Sequence, residues 1–371
     1  MANPNARSKQ PVQDLVIAAG PSALQYIQQN GLNPNDVSAI FGASGAAKWL
    51  AIAGLDHAVF SHFMSQRSEP TPVDLFGTSV GAFKLAASAR QDPGAALLAT
   101  AKAYVEQSYQ SATSLAAIDE QTAIVLNKAF APDTPQAIEE ILTNPRYRLH
   151  IGTVRCHGGL NSANRVRQCL ALARAGLLAL GTQQHLRGLT ERTVFSDPRR
   201  PLAFTARDGY PVRHEKLTAD NFMLALRASG SIPIYMSPVH LPEDPAHIYH
   251  DGGMLDYHPV PGTFWPPTDG LILYPHFYDH FKMRWFDKFY PWRKAPQSQL
   301  DKVVMIAPTR AWVKALPDGK IPSRQDFPKY QKNETERFDK WNEVVARSHE
   351  LGAHFIEACR SGKIAEAVVP L

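Results

Sequence analysis

Two short stretches of the chain share one design, and they restrict its fold more than anything else in the sequence. Val37 to Phe41 is an apolar run closed by Gly42-Ala43-Ser44-Gly45, and Ala46 to Met64 follows with apolar residues at helical spacing. Val73-Asp74-Leu75-Phe76 is a second such run, closed by Gly77-Thr78-Ser79-Val80-Gly81, with Ala82 to Ala89 opening another helix. A short apolar run bounded by turn residues predicts a buried strand, and two consecutive strand–turn–helix units predict an α/β protein with a mainly parallel sheet. The alternation continues. Helices are predicted from Pro21 to about Asn30, over Ala95 to Leu126, Pro135 to Leu142, Arg165 to Leu180 and Phe222 to Ser229. Strands are predicted at Tyr147 to Val154, Thr193 to Phe195, Leu271 to Tyr274 and Val303 to Ile306. A last amphipathic helix, Glu334 to Ala358, carries Phe338, Trp341, Val345 and Phe355 on one side.

Composition narrows the class. With 371 residues, 44% of them hydrophobic and 20% charged, the chain can bury a large core. A formal charge of +5 over so large a surface does not call for nucleic acid as a partner. Cys156, Cys169 and Cys359 stand far apart without the C-x-x-C pairs of zinc or redox sites, which fits a reducing compartment. The apolar run Leu15 to Ala19 is too brief for a signal sequence, and nothing approaches the eighteen or so consecutive apolar residues of a membrane span. The expectation is a cytoplasmic protein, soluble or held peripherally at a membrane. Its oligomeric state is not legible.

The chemistry concentrates at the turns. Gly77-Thr78-Ser79-Val80-Gly81 satisfies G-x-S-x-G, in which the serine occupies a sharp strand-to-helix turn and small residues two positions either side let strand and helix pass closely. A serine hydroxyl is a weak nucleophile, so a base must take its proton and donors must hold the oxyanion that forms. Ser44-Gly45-Ala46-Ala47-Lys48 supplies donor candidates, because small residues leave backbone N–H groups uncovered at a helix N-terminus. It is not a P-loop: Trp49 stands where Ser or Thr would follow the lysine. For the base, Asp251-Gly252-Gly253 follows a predicted strand end at Ile248-Tyr249, although Asp-Gly by itself is ordinary turn chemistry.

Taken together, Ser44-Gly45-Ala46-Ala47-Lys48, the Gly77–Gly81 elbow and the Asp251-Gly252-Gly253 turn resemble, in order and context, the patatin-like phospholipase family. Arg227-Ala228-Ser229-Gly230-Ser231-Ile232-Pro233 is similar to that family's alanine- and serine-rich segment ending in proline, and Asp256 and Pro259 stand where the family has a polar residue and a proline. The resemblance covers about residues 36 to 260. It implies a three-layer α/β/α fold, no metal or organic cofactor, and hydrolysis of lipid acyl esters (phospholipid, lysophospholipid or neutral lipid) through an acyl-enzyme on a Ser–Asp dyad. By that likeness Ser79 is the nucleophile, Asp251 the base, the amides of Gly45 and Ala46 the oxyanion hole with Val80 as a secondary donor, and Lys48 a substrate contact. The implied division is an N-terminal tail and short helix (1–35), a catalytic domain (36–260) and an extension packed on it (261–371). Two departures stand out. The family loop has three glycines and a glycine after the basic residue; here Ala46 requires a negative φ to carry its Cβ easily, and Trp49 is expected to crowd the entrance.

Two rival readings stand beside this one. A Ser–His–Asp triad on an α/β-hydrolase fold would draw its histidine from His349 or His354, both inside a predicted helix, or from His157, His240, His247, His250 or His258 near strand ends. A non-catalytic lipid binder of the same fold is suggested by the altered oxyanion loop. Asp74 reads as a strand residue rather than a catalytic carboxylate. Finally, Phe277, Phe281, Trp285, Phe289 and Trp292 recur at helical spacing among Lys282, Arg284, Lys288, Arg293 and Lys294 within 274–294. That spacing predicts a helix with an aromatic face, packed on the core in the favoured reading and laid on a lipid surface in the other.

Overall fold

The computed structural model describes residues 12–109, 115–182, 184–200 and 202–371. Among the described residues eleven strands form one sheet: β1 (Leu15–Ala19), β2 (Val37–Gly42), β3 (Val73–Thr78), β4 (Tyr147–Cys156), β5 (Thr190–Ser196), β6 (Val212–Lys216), β7 (Val239–Leu241), β8 (Asp244–Asp251), β9 (Leu271–Pro275), β10 (Val303–Pro308) and β11 (Val369–Pro370). Their order is β11-β1-β10-β9-β2-β3-β4-β5-β6, with β8 added to β4 and β7 to β8. The central run β10-β9-β2-β3-β4 is parallel. Every residue of β3, β9 and β10 is buried, which is why these strands read as unbroken apolar runs rather than alternating ones. Helices cover the sheet in a three-layer α/β/α fold of the expected class.

The expected boundary at residue 260 is not a break in this architecture. β9 and β10, from the supposed extension, lie between β2 and β1, and β1 itself comes from the supposed N-terminal tail, antiparallel to β10. Residues 1–11 of the expected N-terminal tail lie outside the described residues. The long predicted C-terminal helix forms as Glu334–Arg360 and packs on the Ala53–Ala58 helix at a pair of glycines. A Cβ on Gly54 would lie 2.3 Å from the His349 nitrogen, and one on Gly352 would lie 2.6 Å from the Ala58 Cβ.

That crossing corrects a second expectation. Ala46 to Met64 is not one regular helix; it runs as a 3-10 turn (Ala46–Ile52), an α turn (Ala53–Ala58), a π turn (Val59–Phe63) and a second 3-10 turn (Met64–Gln66). The Gly54 N–H donates to Ser348 Oγ at 2.8 Å on the long helix instead of to its own segment, so tertiary contact overrides the local helical ladder. Ala95 to Leu126 likewise divides, into Pro93–Val105 and Leu115–Ala129, with residues 110–114 outside the described residues.

The two glycine-turn units are locked together by one buried ion pair. Lys84, on the Val80–Ser88 helix, donates to both oxygens of Asp56 at 2.9 Å, and Trp49 Nε1 donates to Asp56 Oδ2 at 2.7 Å; Lys84 is 2% exposed and Asp56 0%. Trp49 therefore points into the core and does not crowd an entrance. Removing the cation alone would strand a carboxylate away from water, so Lys84→Met is expected to lower unfolding free energy by about 3–5 kcal/mol. Urea denaturation of the variant against the native chain measures it.

Candidate active site

β4 acts as a ruler for the site. On one edge its first half pairs with β3, ending at Thr78 opposite Gly152, and its next residue, Thr153, pairs with Asp251 at the end of β8. β3 and the antiparallel β8 thus meet end to end along β4, and the residue after Thr78 arrives beside Asp251. The Ser79 hydroxyl donates to Asp251 Oδ2 at 2.9 Å. The other carboxylate oxygen, Oδ1, accepts the Gly253 N–H at 2.7 Å, which fixes the plane of the group.

Glycines make this approach possible. Gly42 and Gly77 end β2 and β3, and both press against Gly81 in the first turn of the Val80–Ser88 helix. A Cβ on Gly81 would lie 2.3 Å from Gly42 O, and one on Gly77 would lie 2.5 Å from Gly81 C. Gly252 is equally confined, its Cβ position being 2.3 Å from Gly152 O. Ser79 takes φ 54°, ψ −132°, the strained conformation of a nucleophile elbow. Its N–H is held by Ser229 Oγ at 2.8 Å, and Ser229 in turn donates to Gly152 O at 2.7 Å.

The Ser44–Lys48 turn stands on the other side. Ser44 N–H donates to Tyr257 O at 2.8 Å, Ser44 Oγ lies 2.8 Å from Thr78 Oγ1, and Thr78 donates to Asp256 O at 2.7 Å. These bonds tie the turn and the elbow to the chain leaving Asp251-Gly252-Gly253. Asp256 itself is paired with the buried Arg192 at 2.7 Å. The amides of Gly45 and Ala46 have no acceptor among the described residues and belong to turns that line the pocket. Ala46 has φ 51°, so the negative φ expected for it is not found. An L-residue in that left-handed region costs roughly 1–2 kcal/mol, where the glycine it replaces would cost nothing.

The pocket has about 450 Å³ of open space including its mouth, and Ser79, Asp251, Gly45, Ala46, Lys48 and Gly253 all line it. Sequence reading missed its remaining walls: Ile232-Pro233, Met254, Tyr257, Trp285, Lys288 and Arg324. Trp285 and Lys288 arrive because 274–294 is not the predicted helix. Beyond β9 its backbone pairs with the exit from the Asp251 turn, Tyr257 N–H to Met283 O at 2.8 Å and His258 N–H to Lys282 O at 3.1 Å, and only Trp285–Phe289 forms a 3-10 turn. Phe277 and Phe281 are buried against His258 and His276, whereas Phe289 and Trp292 are exposed.

Electrostatics at the site run against ordinary values. Burial pushes the Asp251 carboxyl up to about 6, although the Gly253 N–H, the Ser79 hydroxyl and the cations Arg324 and Lys288 pull the other way. Burial, then Arg324 and Lys282, bring Lys48 down to about 8; burial, then Lys48 and Arg324, bring Lys288 down to about 7. Lys48 Nζ reaches Tyr257 Oη at 3.4 Å, and Lys288 Nζ sits 3.8 Å above the same ring. None of Lys48, Lys288 and Arg324 has a carboxylate within ion-pair distance among the described residues.

No histidine lines the pocket among the described residues. His250 is turned away, its Nδ1 2.9 Å from Ser231 O, and burial lowers it to about 4. His349 meets the His57 ring edge to face, and His354 lies 3.9 Å from Asp14. Asp74 pairs with Arg200 at 2.9 Å within β3. Among the described residues no cluster of His, Cys, Asp or Glu is arranged to hold a metal ion.

A buried serine on a strained elbow, hydrogen-bonded directly to a carboxylate and flanked by uncommitted backbone amides at the ends of a parallel sheet, defines a class of acyl-transfer site. The model of the family described as patatin-like phospholipase matches residues 41–264. The chain belongs to that family, and membership implies lipid acyl hydrolase activity. A comparison with curated proteins gives no match. Among solved structures, VipD from Legionella pneumophila is similar, with 10% sequence identity and a TM-score of 0.33 over 84% of this chain and 67% of that one.

Ser229→Ala tests the support beneath the elbow. It leaves the Ser79 N–H and the Gly152 carbonyl buried without their shared partner, so unfolding free energy is expected to fall by about 1–3 kcal/mol in urea denaturation.

Proposed function

We propose that the protein hydrolyses acyl esters of lipids on a Ser79–Asp251 dyad. The observation that supports this reading best is the 2.9 Å hydrogen bond from the Ser79 hydroxyl to Asp251, with no imidazole between them. Asp251 takes the proton as Ser79 Oγ attacks the ester carbonyl, and the amides of Gly45 and Ala46 hold the oxygen that becomes negative. The alkoxide leaving group departs with that proton, leaving an acyl-enzyme. Asp251 then removes a proton from water, whose attack releases the fatty acid and restores Ser79.

An unperturbed aspartate near roughly 4 is a poor base for an alcohol. Burial raises Asp251 to about 6, closer to neutral pH, while leaving it ionised there. The sign of the pH dependence follows: activity is present above about 6 and falls as pH drops through that value, about tenfold per unit.

Ser79→Ala is expected to abolish covalent labelling by a fluorophosphonate probe. Asp251→Asn is expected to lower p-nitrophenyl ester turnover on the order of 10⁴-fold, whereas His349→Ala/His354→Ala leaves it intact. Absence of labelling in a folded native chain would replace the enzyme by a lipid binder. Loss of turnover in the double histidine variant would move the base to imidazole.

Among the lipid esters considered, the charge of the pocket favours those with an anionic group near the scissile bond. Lys48, Lys288 and Arg324 line it against one carboxylate, and a phosphate in the headgroup would give them the partner they lack. A lysophospholipid with a phosphate monoester headgroup is therefore expected to show kcat/KM at least tenfold above that of a monoacylglycerol of equal chain length. Lys288→Gln/Arg324→Gln is expected to narrow that ratio through KM and kcat together; equal ratios in native and variant chains would remove phosphate from the substrate definition.

A further inference from the structure

The Arg165–Leu178 helix is apolar on both faces, and so turns apolar side chains toward solvent as well as toward the core. Its inner face, Gln168, Ala171, Leu172 and Ala175, packs on a small core, while Val166, Leu170 and Leu177 point outward. These three, with Leu180 just beyond the helix and Phe289 and Trp292 on the neighbouring segment, are each between 67% and 71% exposed. Single exposed apolar residues need no explanation, but six on adjoining elements do.

The adjacency is built from named contacts. Tyr290 Oη donates to Gly176 O at 3.1 Å, Arg293 donates to Ala179 O, and the Phe286 ring lies against Gly176. The same helix reaches the pocket: Gln168 Oε1 accepts the Ile234 N–H at 3.2 Å, directly after the wall residues Ile232 and Pro233. Trp285 and Lys288, on the segment that carries Phe289 and Trp292, form another wall. The segment that presents Phe289 and Trp292 therefore also walls the Ser79 pocket, and the helix packs beside it.

Its charge identifies the occupant. From residue 156 to residue 190 the chain has no Asp or Glu, while Arg165, Arg167, Arg174 and Arg187 fall within it and Lys294 follows Trp292. None of these five has a carboxylate partner among the described residues. A second copy of the chain meeting this face across a two-fold axis would set arginine against arginine. An anionic lipid surface accepts both components, apolar side chains at the headgroup–acyl boundary and guanidinium groups among phosphates.

We propose that the face formed by the Arg165–Leu178 helix and the Phe289–Trp292 segment docks on anionic membrane surface and carries the pocket mouth to the lipid. Docking does not depend on the hydrolytic reading, although its consequence for substrate delivery does.

The full-length Ser79→Ala chain, which leaves vesicles intact, is sedimented with vesicles of phosphatidylcholine alone and with vesicles of about three parts phosphatidylcholine to one part phosphatidylglycerol. At least about tenfold tighter binding to the anionic vesicles is expected, weakening as salt is raised. Leu170→Glu/Leu177→Glu is expected to lower that binding at least tenfold, and so is Phe289→Ala/Trp292→Ala, which alters the second element with no change of charge. Leu98→Glu, an equivalent change at an exposed leucine on the Pro93–Val105 helix, is the control and retains native binding. Native-level binding by both double variants, or equal binding to neutral and anionic vesicles, overturns the proposal. Light scattering that shows a dimer lost in Leu170→Glu/Leu177→Glu overturns it in favour of a second copy. Fluorophosphonate labelling of the chain with native Ser79 reports separately on the dyad, so either reading can fail without the other.

Discussion

The site depends on a single strand edge. β4 gives its first six residues to β3 and its next three to β8, on the same side, because β5 occupies the other side. Two strands that approach from opposite directions must then stop where they meet, and the groups at their ends are brought within bonding distance by register alone. One residue of slip along β4 would reverse the face to which Asp251 points. Backbone hydrogen bonds, rather than the two side chains themselves, therefore supply the free energy that holds the serine beside the carboxylate. The glycines at 42, 77, 81, 152 and 252 follow from this arrangement, since strand ends and a helix start share a space in which several added Cβ atoms would fall under 3 Å from backbone.

Those glycines also explain what was legible in the sequence. A turn that needs glycine leaves a short local mark, so the elbow at Ser79, the Gly45 turn and the Asp251 turn stood out, and the strands beside them stood out through burial on both faces. Contacts made across the chain left no such mark. Ser229 reads as one residue in a small-residue segment until β8 and Gly152 are placed. Lys288 looks like a surface charge until 282–283 pair with 257–258. The predicted helix over 274–294 failed because the aromatic period there coincides with a helical one while the backbone N–H and carbonyl groups are spent on the Tyr257–His258 strand-like pairing and the His276 side chain. The Ala46–Met64 helix failed for a related reason, the diversion of the Gly54 N–H to Ser348 on a helix nearly three hundred residues away. The division at residues 36 and 260 did not show that segments on both sides of it, β1 before and β9 and β10 after, join the same sheet.

The departures from the family's glycine loop have different consequences from those the sequence suggested. Trp49 is structural: it donates to Asp56 and so belongs to the ion pair that joins the Ser44–Lys48 turn to the Val80–Ser88 helix. Ala46 is the position where a methyl group is carried in the left-handed region, and the turn keeps its shape because its neighbours are fixed by Ser44, Thr78 and Tyr257. Strain at an exposed tip would relax by changing the turn. Here relaxation would move Ser44 off Tyr257 and Thr78 and so break the contact between the elbow and the Asp251 turn. The cost at Ala46 is offset by bonds that the site needs for another reason.

In the proposed reaction two opposing demands meet at Asp251. A base that acts directly on an alcohol works better as burial raises its proton affinity, yet it must remain ionised at neutral pH. The Gly253 amide, the Ser79 hydroxyl and the cations of the mouth limit the rise, and of these the cations are the groups whose pull an anionic headgroup would offset. An anionic headgroup that pairs with Lys288 and Arg324 would weaken their pull on Asp251 and raise its proton affinity further while the substrate is bound. In the proposed reaction, substrate charge and base strength are thereby linked: the group that recognition selects also strengthens the base it is delivered to. A neutral ester would leave the same carboxylate under the full field of uncompensated cations, so selection by charge acts on the chemical step as well as on binding.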